Sequence, residues 1–310
     1  MGFFRKKLIF DFGTANTVVC SDGKVVYDNL TLFRVWSDNG LNDRYFFPVS
    51  GGYVEDRDAF EKYVKSVIRK LTLFPRLSSV LIAVPDEVSG AETSVVQDFM
   101  LPFKKLHVKD IRTVPQSVAA CAGLGLAADK YHLLLDIGEG KTRISLVKDS
   151  RVVKTKVWTD LSAYTWISDI RSHMKSNRDF NCGDATALKA LIDVGAATEK
   201  ISDPPSPVKL TGLSLIMERP HSLEFDHEEL AGVLNPCMES MEVSLQKFIE
   251  EELATMSEAV MKDITSEGLW LIGGGSRLRG LAGRLQNRIS LPVNTLDYPF
   301  HLIAKGASLL

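Results

Sequence analysis

The sequence has 310 residues, a net charge of −2, 45% hydrophobic residues and 25% charged residues, which is typical of a globular protein with about two domains. The near-neutral net charge excludes a global basic field, so any basic contact would be a local patch and no direct nucleic-acid partner is expected. No apolar run reaches the roughly 18–20 residues that span a bilayer, and the start lacks the features of a secretory signal, so a cytoplasmic location is expected. Four scattered cysteines without a C-x-x-C pair indicate buried thiols in a reducing compartment.

Two apolar segments are candidate membrane contacts. Phe3 and Phe4 are followed by three cations, a combination that suits aromatic insertion beside anionic head groups. The alternative is a solvated chain terminus. Leu73 and Phe74 lie in a connector that also contains a proline, and they form either a membrane-inserting tip or a loop packed on the core.

The first informative motif is an apolar strand that carries Asp11 to its end, before Gly13. Gly13 permits a sharp bend, and the small residues Thr14, Ala15 and Asn16 let a ligand approach the backbone amides, which favour an anion. Because Asp11 would repel a bare phosphate, the pattern makes chemical sense with a hydrated Mg²⁺ between them. An ordinary turn is the alternative.

The next segments predict the surrounding elements. Residues 7–36 read as three strands joined by hairpin turns, residues 37–54 as a loop, and residues 56–71 as an amphipathic helix. Asp86 is predicted to cap a following helix. Gln116 opens a helix of small residues, which is expected to pack very close to its neighbours.

The strand–Asp–x–Gly–hairpin pattern then recurs at Asp136 and Gly138, with further strands predicted over residues 142–147 and up to Trp158. Two copies predict a duplicated α/β fold with a cleft between the halves, and they favour phosphate binding over an ordinary turn. Residues 138–142 also resemble the end of a P-loop. They lead into a strand pattern where a P-loop requires a helix, so that interpretation is excluded.

The remaining segments alternate helices and strands. Residues 161–174 and 186–194 predict helices, residues 210–225 predict two strands, and Asp226 with Glu229 forms a capping box for a helix that runs to about residue 253.

A third informative motif follows a buried strand, where Gly273, Gly274 and Gly275 precede a helix. Bare backbone at a helix start suits a flat ring or a phosphate. A tight strand–helix turn is the alternative.

Taken in order, these motifs resemble those of the actin–chaperone–sugar-kinase superfamily, and among its families the sequence is most similar to the MreB-like bacterial actins. The narrower match rests on Asp11–Thr17, Asn181–Ala187 and Leu291–Gly306. The resemblance implies an actin-like fold, with two duplicated ribonuclease-H-like halves around a nucleotide cleft.

The resemblance also implies domain boundaries. The first domain comprises residues 1–130 with 296–310, and the second comprises residues 131–295. Residues 37–54 are short for the family, so the outer subdomain of the first half, about residues 28–54, is expected to be reduced.

The family ligand is ATP or ADP with Mg²⁺. The resemblance implies that Asp11 and Asp136 hold Mg²⁺ through water, and that Gln116 orients the attacking water. The residues implied to line the phosphates are Gly13, Thr14, Ala15, Asn16, Gly138, Glu139, Gly140, Lys141 and Thr142. Those implied near adenine and ribose are Gly273, Gly274, Gly275, Arg277, Asp184 and Lys189.

The implied function is a cytoskeletal protein that polymerises head to tail into filaments on the inner membrane, with Leu73 and Phe74 as the inserting loop. Any enzymatic activity would be at most a slow ATPase. A small-molecule kinase of the same superfamily is a further interpretation. It is disfavoured because the chain is short and Gln116 is not a base.

Three departures from the family pattern favour an alternative, a pseudo-ATPase with impaired nucleotide binding that acts as a scaffold or adaptor. Glu139 replaces a glycine, and two like charges about 4 Å apart repel by ~4 kcal/mol in a partly buried site. The pair Gln116-Ser117 replaces Glu-Pro, and residues 158–160 lack the expected glycines.

Overall fold

The structure is a computed structural model with two compact units. The described residues are 6–35, 44–71, 77–88 and 93–310. The first unit comprises residues 1–134, 138–157 and 297–310, and the second comprises residues 135–137 and 158–296. The domain boundaries implied by the family resemblance stay a prediction.

The described residues form the following elements. The strands are β1 (Lys6–Phe12), β2 (Asn16–Ser21), β3 (Lys24–Leu30), β4 (Phe33–Val35), β5 (Arg44–Phe46), β6 (Val49–Ser50), β7 (Tyr53–Val54), β8 (Leu77–Val84), β9 (Asp110–Pro115), β10 (His132–Ile137), β11 (Thr142–Lys148), β12 (Arg151–Trp158), β13 (Phe180–Asn181), β14 (Val208–Ser214), β15 (Arg219–Phe225), β16 (Leu269–Ile272) and β17 (Val293–Asn294). The helices are α1 (Arg57–Leu71), α2 (Ser94–Lys105), α3 (Gln116–Leu124), α4 (Ala163–Asn177), α5 (Asp184–Val194), α6 (His227–Lys247), α7 (Glu258–Glu267), α8 (Leu281–Ile289) and α9 (Leu302–Ala307).

Two five-stranded sheets share one layout. Their strand orders are β3-β2-β1-β8-β9 and β12-β11-β10-β16-β17. In each sheet, the strand that leads into an Asp-x-Gly turn, β1 or β10, is central. The next two strands of the chain lie on one side of it, and two later strands lie on the other side. Strand β1 pairs antiparallel with β2 and parallel with β8, and β16 pairs parallel with β17. The repeated order confirms the predicted duplicated α/β fold.

The first hairpins form because their turns suit a right-handed strand twist. Asp22 and Gly23, between β2 and β3, have φ values of 50° and 72°. Positive φ at both central residues is the conformation that tight two-residue hairpins require. The parallel pairing of β1 with β8 requires a crossover connection, and helix α1 lies in that connection.

An aromatic core fixes the strand that carries Asp11. Phe10 and Phe12 are fully buried, and the Phe12 ring lies 4.9 Å from that of Phe60 and 6.0 Å from that of Phe99. Since successive side chains of a strand point to opposite faces, burying these two phenylalanines directs Asp11 to the other face of the sheet.

One predicted helix cap, Asp226, is confirmed, and the structure adds a second at Asp56. Asp56 accepts hydrogen bonds from the backbone N–H groups of Asp58 and Ala59, each at 2.9 Å, at the start of α1. Asp226 accepts one from Glu229 N–H at 2.8 Å at the start of α6. These bonds satisfy amides that a helix start leaves unpaired.

The predicted loop over residues 37–54 is wrong where the structure describes it. Strand β5 pairs antiparallel with β4, and β6 pairs with β7. Such two- and three-residue strands are too short to give a recognisable sequence period. Residues 36–43 lie outside the described part of the chain.

The cysteines are buried, as predicted, with one exception. Cys20, Cys121 and Cys237 are buried, and Cys182 is partly buried. Burial raises the pKa of Cys20 to about 11 and that of Cys121 to about 12. Both thiols are therefore protonated at neutral pH, which makes them unreactive.

Helix α3 packs very close to α9, as its small residues predict. A Cβ on Gly123 would lie 2.8 Å from the carbonyl oxygen of Leu302. A Cβ on Gly306 would overlap the carbonyl oxygen of Ala119 and lie 2.7 Å from the nitrogen of Gly123. The two backbones touch because no side chain separates them at these positions.

We expect Gly306→Ala to lower the free energy of unfolding by about 1–3 kcal/mol, because a methyl group there forces the helices apart. Gly232→Ala is the matched control, since Gly232 lies within α6 and a Cβ there meets nothing within 4 Å. It should leave stability unchanged or raise it by about 0.5–1 kcal/mol. Urea unfolding of both variants measures the difference, and equal midpoints would contradict the close packing of α3 on α9.

Candidate functional site

The two Asp-x-Gly turns are built by the same hydrogen bond. Gly13 N–H donates to the carbonyl oxygen of Asn16, and Gly138 N–H donates to that of Lys141, each at 2.9 Å. A Cβ on Gly13 would lie 2.8 Å from the Asn16 oxygen, and one on Gly138 would lie 3.1 Å from the Lys141 oxygen. In each turn the carbonyl oxygen lies close to where the Cβ of any other residue would be, which explains why glycine occupies the first position of both turns.

The first unit brings these two turns together. A Cβ on Gly140 would lie 2.7 Å from Thr14 Oγ1 and 2.8 Å from the nitrogen of Gly51. Gly51 N–H also donates to Thr14 Oγ1 at 3.0 Å. The two predicted phosphate turns thus contact each other around Gly140, while Ala15 and Asn16 remain exposed.

Gln116, the first residue of α3, is 8% exposed and is held at both ends of its amide. Its Nε2 donates to Asp11 Oδ1 at 3.0 Å. Its Oε1 accepts from Arg143 Nη1 at 2.9 Å. A guanidinium can only donate and a carboxylate can only accept, so these partners fix which end of the amide carries the oxygen. The structure therefore places the predicted water-orienting residue beside the predicted magnesium ligand.

Arg143 is a site residue that sequence reasoning missed. Its side chain is 2% exposed on β11, where Thr142 through Val147 are all buried. Its Nε lies 3.3 Å from Asp86 Oδ2, and its Nη1 lies 3.6 Å from Glu87 Oε2. Buried charges are found paired, so a cation near the start of a largely apolar strand was the available signal for these acidic partners.

Asp86 belongs to this network, and its predicted role as a helix cap is wrong. It accepts hydrogen bonds from Ser117 N–H at 3.0 Å and from Ser145 Oγ at 2.6 Å, and its side chain is fully buried. The cap of α2 is Thr93, which accepts from Val96 N–H. Asp86 instead compensates the buried charge of Arg143.

Glu87 lies between two cations. Lys141 Nζ donates to Glu87 Oε1 and lies 5.2 Å from the centre of the Tyr53 ring. Burial alone would raise the pKa of Glu87, but the charges of Lys141 and Arg143 outweigh it, so its pKa is lowered. Lys141, a predicted phosphate contact, therefore has a carboxylate partner within the protein. Thr142 is buried, and Glu139 is partly exposed.

In the second unit, the glycine turn packs on the end of β10. A Cβ on Gly273, whose φ is +78°, would overlap Asp136 Oδ1 and lie 2.6 Å from the carbonyl oxygen of Ile137. A Cβ on Gly275 would overlap the side chain of Ile137. The fold itself requires these two glycines, while Gly274 is exposed.

The predicted ribose residues have partners of their own. Arg171 Nη1 donates to Asp184 Oδ1 at 2.6 Å, and Lys189 Nζ pairs with Asp193 on α5. Arg277 is exposed at the end of a 3-10 turn. The roles of these residues in nucleotide binding stay predictions.

The magnesium assignment also stays a prediction. Among the described residues, no group of three or more His, Cys, Asp or Glu side chains could hold a metal ion. The predicted arrangement needs only two carboxylates that contact the ion through water. Asp11 and Asp136 are partly exposed carboxylates at strand ends, which is the ligand type that Mg²⁺ prefers.

The membrane predictions cannot be placed on the fold. Phe3, Phe4, Leu73 and Phe74 all lie outside the described residues. Across residues 6–35, 44–71, 77–88 and 93–310, no helix is both long enough and apolar enough to cross a bilayer.

Comparison with known proteins identifies the family. A sequence model of the MreB/Mbl protein family matches residues 43–310. The chain belongs to the MreB/Mbl family. The cell shape-determining protein Mbl of Bacillus subtilis (strain 168) is 22% identical to it, over 99% of this chain and 96% of the relative.

Solved structures place this MreB/Mbl chain among actin-like folds. The crystal structure of MreB5 of Spiroplasma citri bound to AMPPNP has a TM-score of 0.87 at 19% identity, and covers 99% of this chain and 96% of that one. A MamK double helical filament has a TM-score of 0.77 at 15% identity, covering 98% and 97%. The predicted family and the predicted actin-like fold are confirmed.

The buried network of this MreB/Mbl chain predicts a dependence of stability on pH. Because the folded pKa of Glu87 lies below its ordinary value of 4.5, its stabilising effect is complete above that value and is lost as the pH falls through the folded pKa. Glu87→Gln mimics the protonated acid. We expect it to lower the free energy of unfolding at pH 7 by about 1–3 kcal/mol, and the difference from wild type should narrow with acidification.

Urea unfolding at pH 7 and in steps down to about pH 3.5 measures this difference. Glu228→Gln is the control, since Glu228 is exposed on α6 and its effect should be small at every pH. A destabilisation by Glu87→Gln that is the same at all pH values would contradict the ionic role of Glu87.

Proposed function

We propose that this MreB/Mbl chain is an ATP-binding, actin-like cytoskeletal protein that polymerises into filaments for cell shape or intracellular organisation. The observation that carries the proposal is the pair of identically hydrogen-bonded Asp-x-Gly turns, which meet at Gly140 in the first unit. Two glycine turns that converge on one point bring exposed small residues and backbone amides together, and such groups favour phosphate oxygens.

The relatives support nucleotide as the ligand. The MreB5 structures of Spiroplasma citri contain AMPPNP in one case and ADP in another. We propose that the turns at residues 13–16 and 138–142 contact the phosphates of ATP or ADP, with Mg²⁺ held through water by Asp11 and Asp136. Gly273, Gly274, Gly275 and Arg277 would lie near the base, with Asp184 or Lys189 near the ribose.

Self-association is the second part of the proposal. The MamK relative forms a double helical filament, and this chain shares its fold along almost its full length. A head-to-tail contact gives a closed ring only if the rotation between neighbouring copies brings the last copy back to the first. Otherwise it gives an open filament.

The membrane is the third part, and it rests on the sequence alone. Phe3 and Phe4 beside cations, together with Leu73 and Phe74, suit insertion at an anionic inner membrane surface. The protein would then be cytoplasmic and peripheral on that membrane.

One group of observations favours a second candidate, a scaffold with little ATP turnover. Glu139 introduces a negative charge into the second turn, and Lys141 pairs with Glu87. The oxygen of Gln116 already accepts a hydrogen bond from Arg143. The charge of Glu139 and the pairing of Lys141 weaken phosphate binding, and the contact of Gln116 with Arg143 hinders turnover. Calorimetry with ATP and Mg²⁺ separates the two candidates, because tight binding would count against the scaffold.

Sedimentation with Mg²⁺ and ATP tests the main proposal. We expect wild-type protein to pellet above a critical concentration with ATP, and Gly140→Ala to stay in the supernatant because its methyl group would press on Thr14 and separate the turns. Gly232→Ala, with open space around its position, should pellet like wild type. Calorimetry with ATP and Mg²⁺ reports binding separately. Wild-type protein that neither binds ATP nor pellets would overturn the proposal.

Flotation with liposomes of anionic phospholipid tests the membrane part. The double variant Leu73→Ser/Phe74→Ser should lose flotation, since removing two apolar side chains removes most of the insertion energy, and it should still pellet with ATP. Ile192→Ser, a change of similar chemistry at a side chain that is 62% exposed on α5, is the control and should float. Equal flotation of both variants would show that residues 73 and 74 do not insert.

A further inference from the structure

We propose that Arg143 is a positioning residue that holds the Gln116 amide in an orientation unsuited to hydrolysis, so that the chain retains ATP and turns it over slowly. This inference rests on the proposed nucleotide site and concerns its regulation. It begins from the chain of hydrogen bonds that joins Arg143, Gln116 and Asp11 inside the first unit.

A glutamine orients a nucleophilic water through its single amide oxygen, which must accept a hydrogen from that water. In this chain, Oε1 of Gln116 already accepts from Arg143 at 2.9 Å. A carbonyl oxygen has a second lone pair, but the guanidinium fixes the direction in which that lone pair points. The oxygen cannot turn toward a water elsewhere without giving up the Arg143 contact.

The other end of the amide is also occupied. Nε2 of Gln116 donates to Asp11 Oδ1 at 3.0 Å. A flip of the amide would bring its NH₂ group against the guanidinium and its oxygen against the carboxylate. It would exchange two charge-assisted hydrogen bonds for two repulsive contacts. The orientation of Gln116 is therefore set by its neighbours, and it does not depend on a ligand.

Arg143 itself has no freedom to release Gln116. Its guanidinium lies against Asp86 and Glu87, and its side chain is 2% exposed. Asp86 is anchored in turn by Ser117 N–H and Ser145 Oγ. Moving Arg143 away would leave the fully buried Asp86 without its cation and Glu87 with Lys141 alone, which is strongly unfavourable. The two carboxylates therefore hold the Arg143 guanidinium in place, and the guanidinium holds the Gln116 oxygen.

The test compares two variants of the full-length chain in the same network. Arg143→Lys retains the positive charge beside Asp86 and Glu87 but lacks the planar fork that also reaches Gln116. Ser145→Ala removes a hydrogen bond to Asp86 at 2.6 Å and does not touch Gln116. The measurements are phosphate release for kcat and KM, and calorimetry for ATP binding.

We expect Arg143→Lys to raise kcat about tenfold, the effect of losing one hydrogen bond to a charged group, with KM for ATP within about twofold of wild type. Ser145→Ala should leave both values near wild type, because Asp86 keeps Ser117 N–H and the Arg143 guanidinium as partners. Adding Gln116→Ala to Arg143→Lys should abolish the gain, because the released amide is what acts on the water.

Three outcomes overturn the inference. Arg143→Lys that binds ATP with unchanged or lower kcat shows that Arg143 does not restrain turnover, and leaves the proposed function intact. An equal rise in Ser145→Ala shows a general loosening of the network. An absence of ATP binding in wild type removes the proposed function and this inference with it. If Arg143→Lys fails to fold, the charge-matched pair Asp86→Asn/Arg143→Met takes its place in the same measurements.

Discussion

The buried charge of Arg143 organises the first unit around the candidate site. A guanidinium inside a strand of buried residues persists only when anions compensate it. Asp86 and Glu87 provide that compensation, and the segment that carries them follows directly on β8. The need to pair one cation therefore aligns the end of β8 and the start of β11 with the start of α3. Gln116 and Asp11 take their positions from that alignment.

The duplicated fold could be predicted from the sequence because each of the motifs that indicate it spans only a few neighbouring residues. Asp11 and Gly13 are two residues apart, as are Asp136 and Gly138, and each pair follows an apolar strand. The same spacing produces the same turn, closed by the same hydrogen bond. The cap at Asp226 was predictable for the same reason, since the cap and the amide that it satisfies lie three residues apart.

The hydrogen-bond and ion-pair network around Arg143 could not be predicted from the sequence, because its contacts join residues that are far apart in the chain. Arg143 and Gln116 are 27 residues apart, and Ser145 and Asp86 are 59 apart. Nothing near Asp86 distinguishes a buried counter-ion from a helix cap, since both roles use the same carboxylate. Gly273 and Gly275 are ambiguous in another way, since glycine there suits either a bound ligand or close packing. Packing against Ile137 explains both glycines without any ligand.

The contact between α3 and α9 has a consequence for the order in which the chain folds. Residues 297–310 belong to the first unit, yet a ribosome makes them after every residue of the second unit. Domains generally fold as units during synthesis, so the second unit can fold while the first still lacks its last helix. The groove on α3 that receives Gly306 stays open until then, and Gln116 lies at the start of that helix. The first unit is therefore completed last during biosynthesis, and the surroundings of Gln116 are complete only after the second unit has been made.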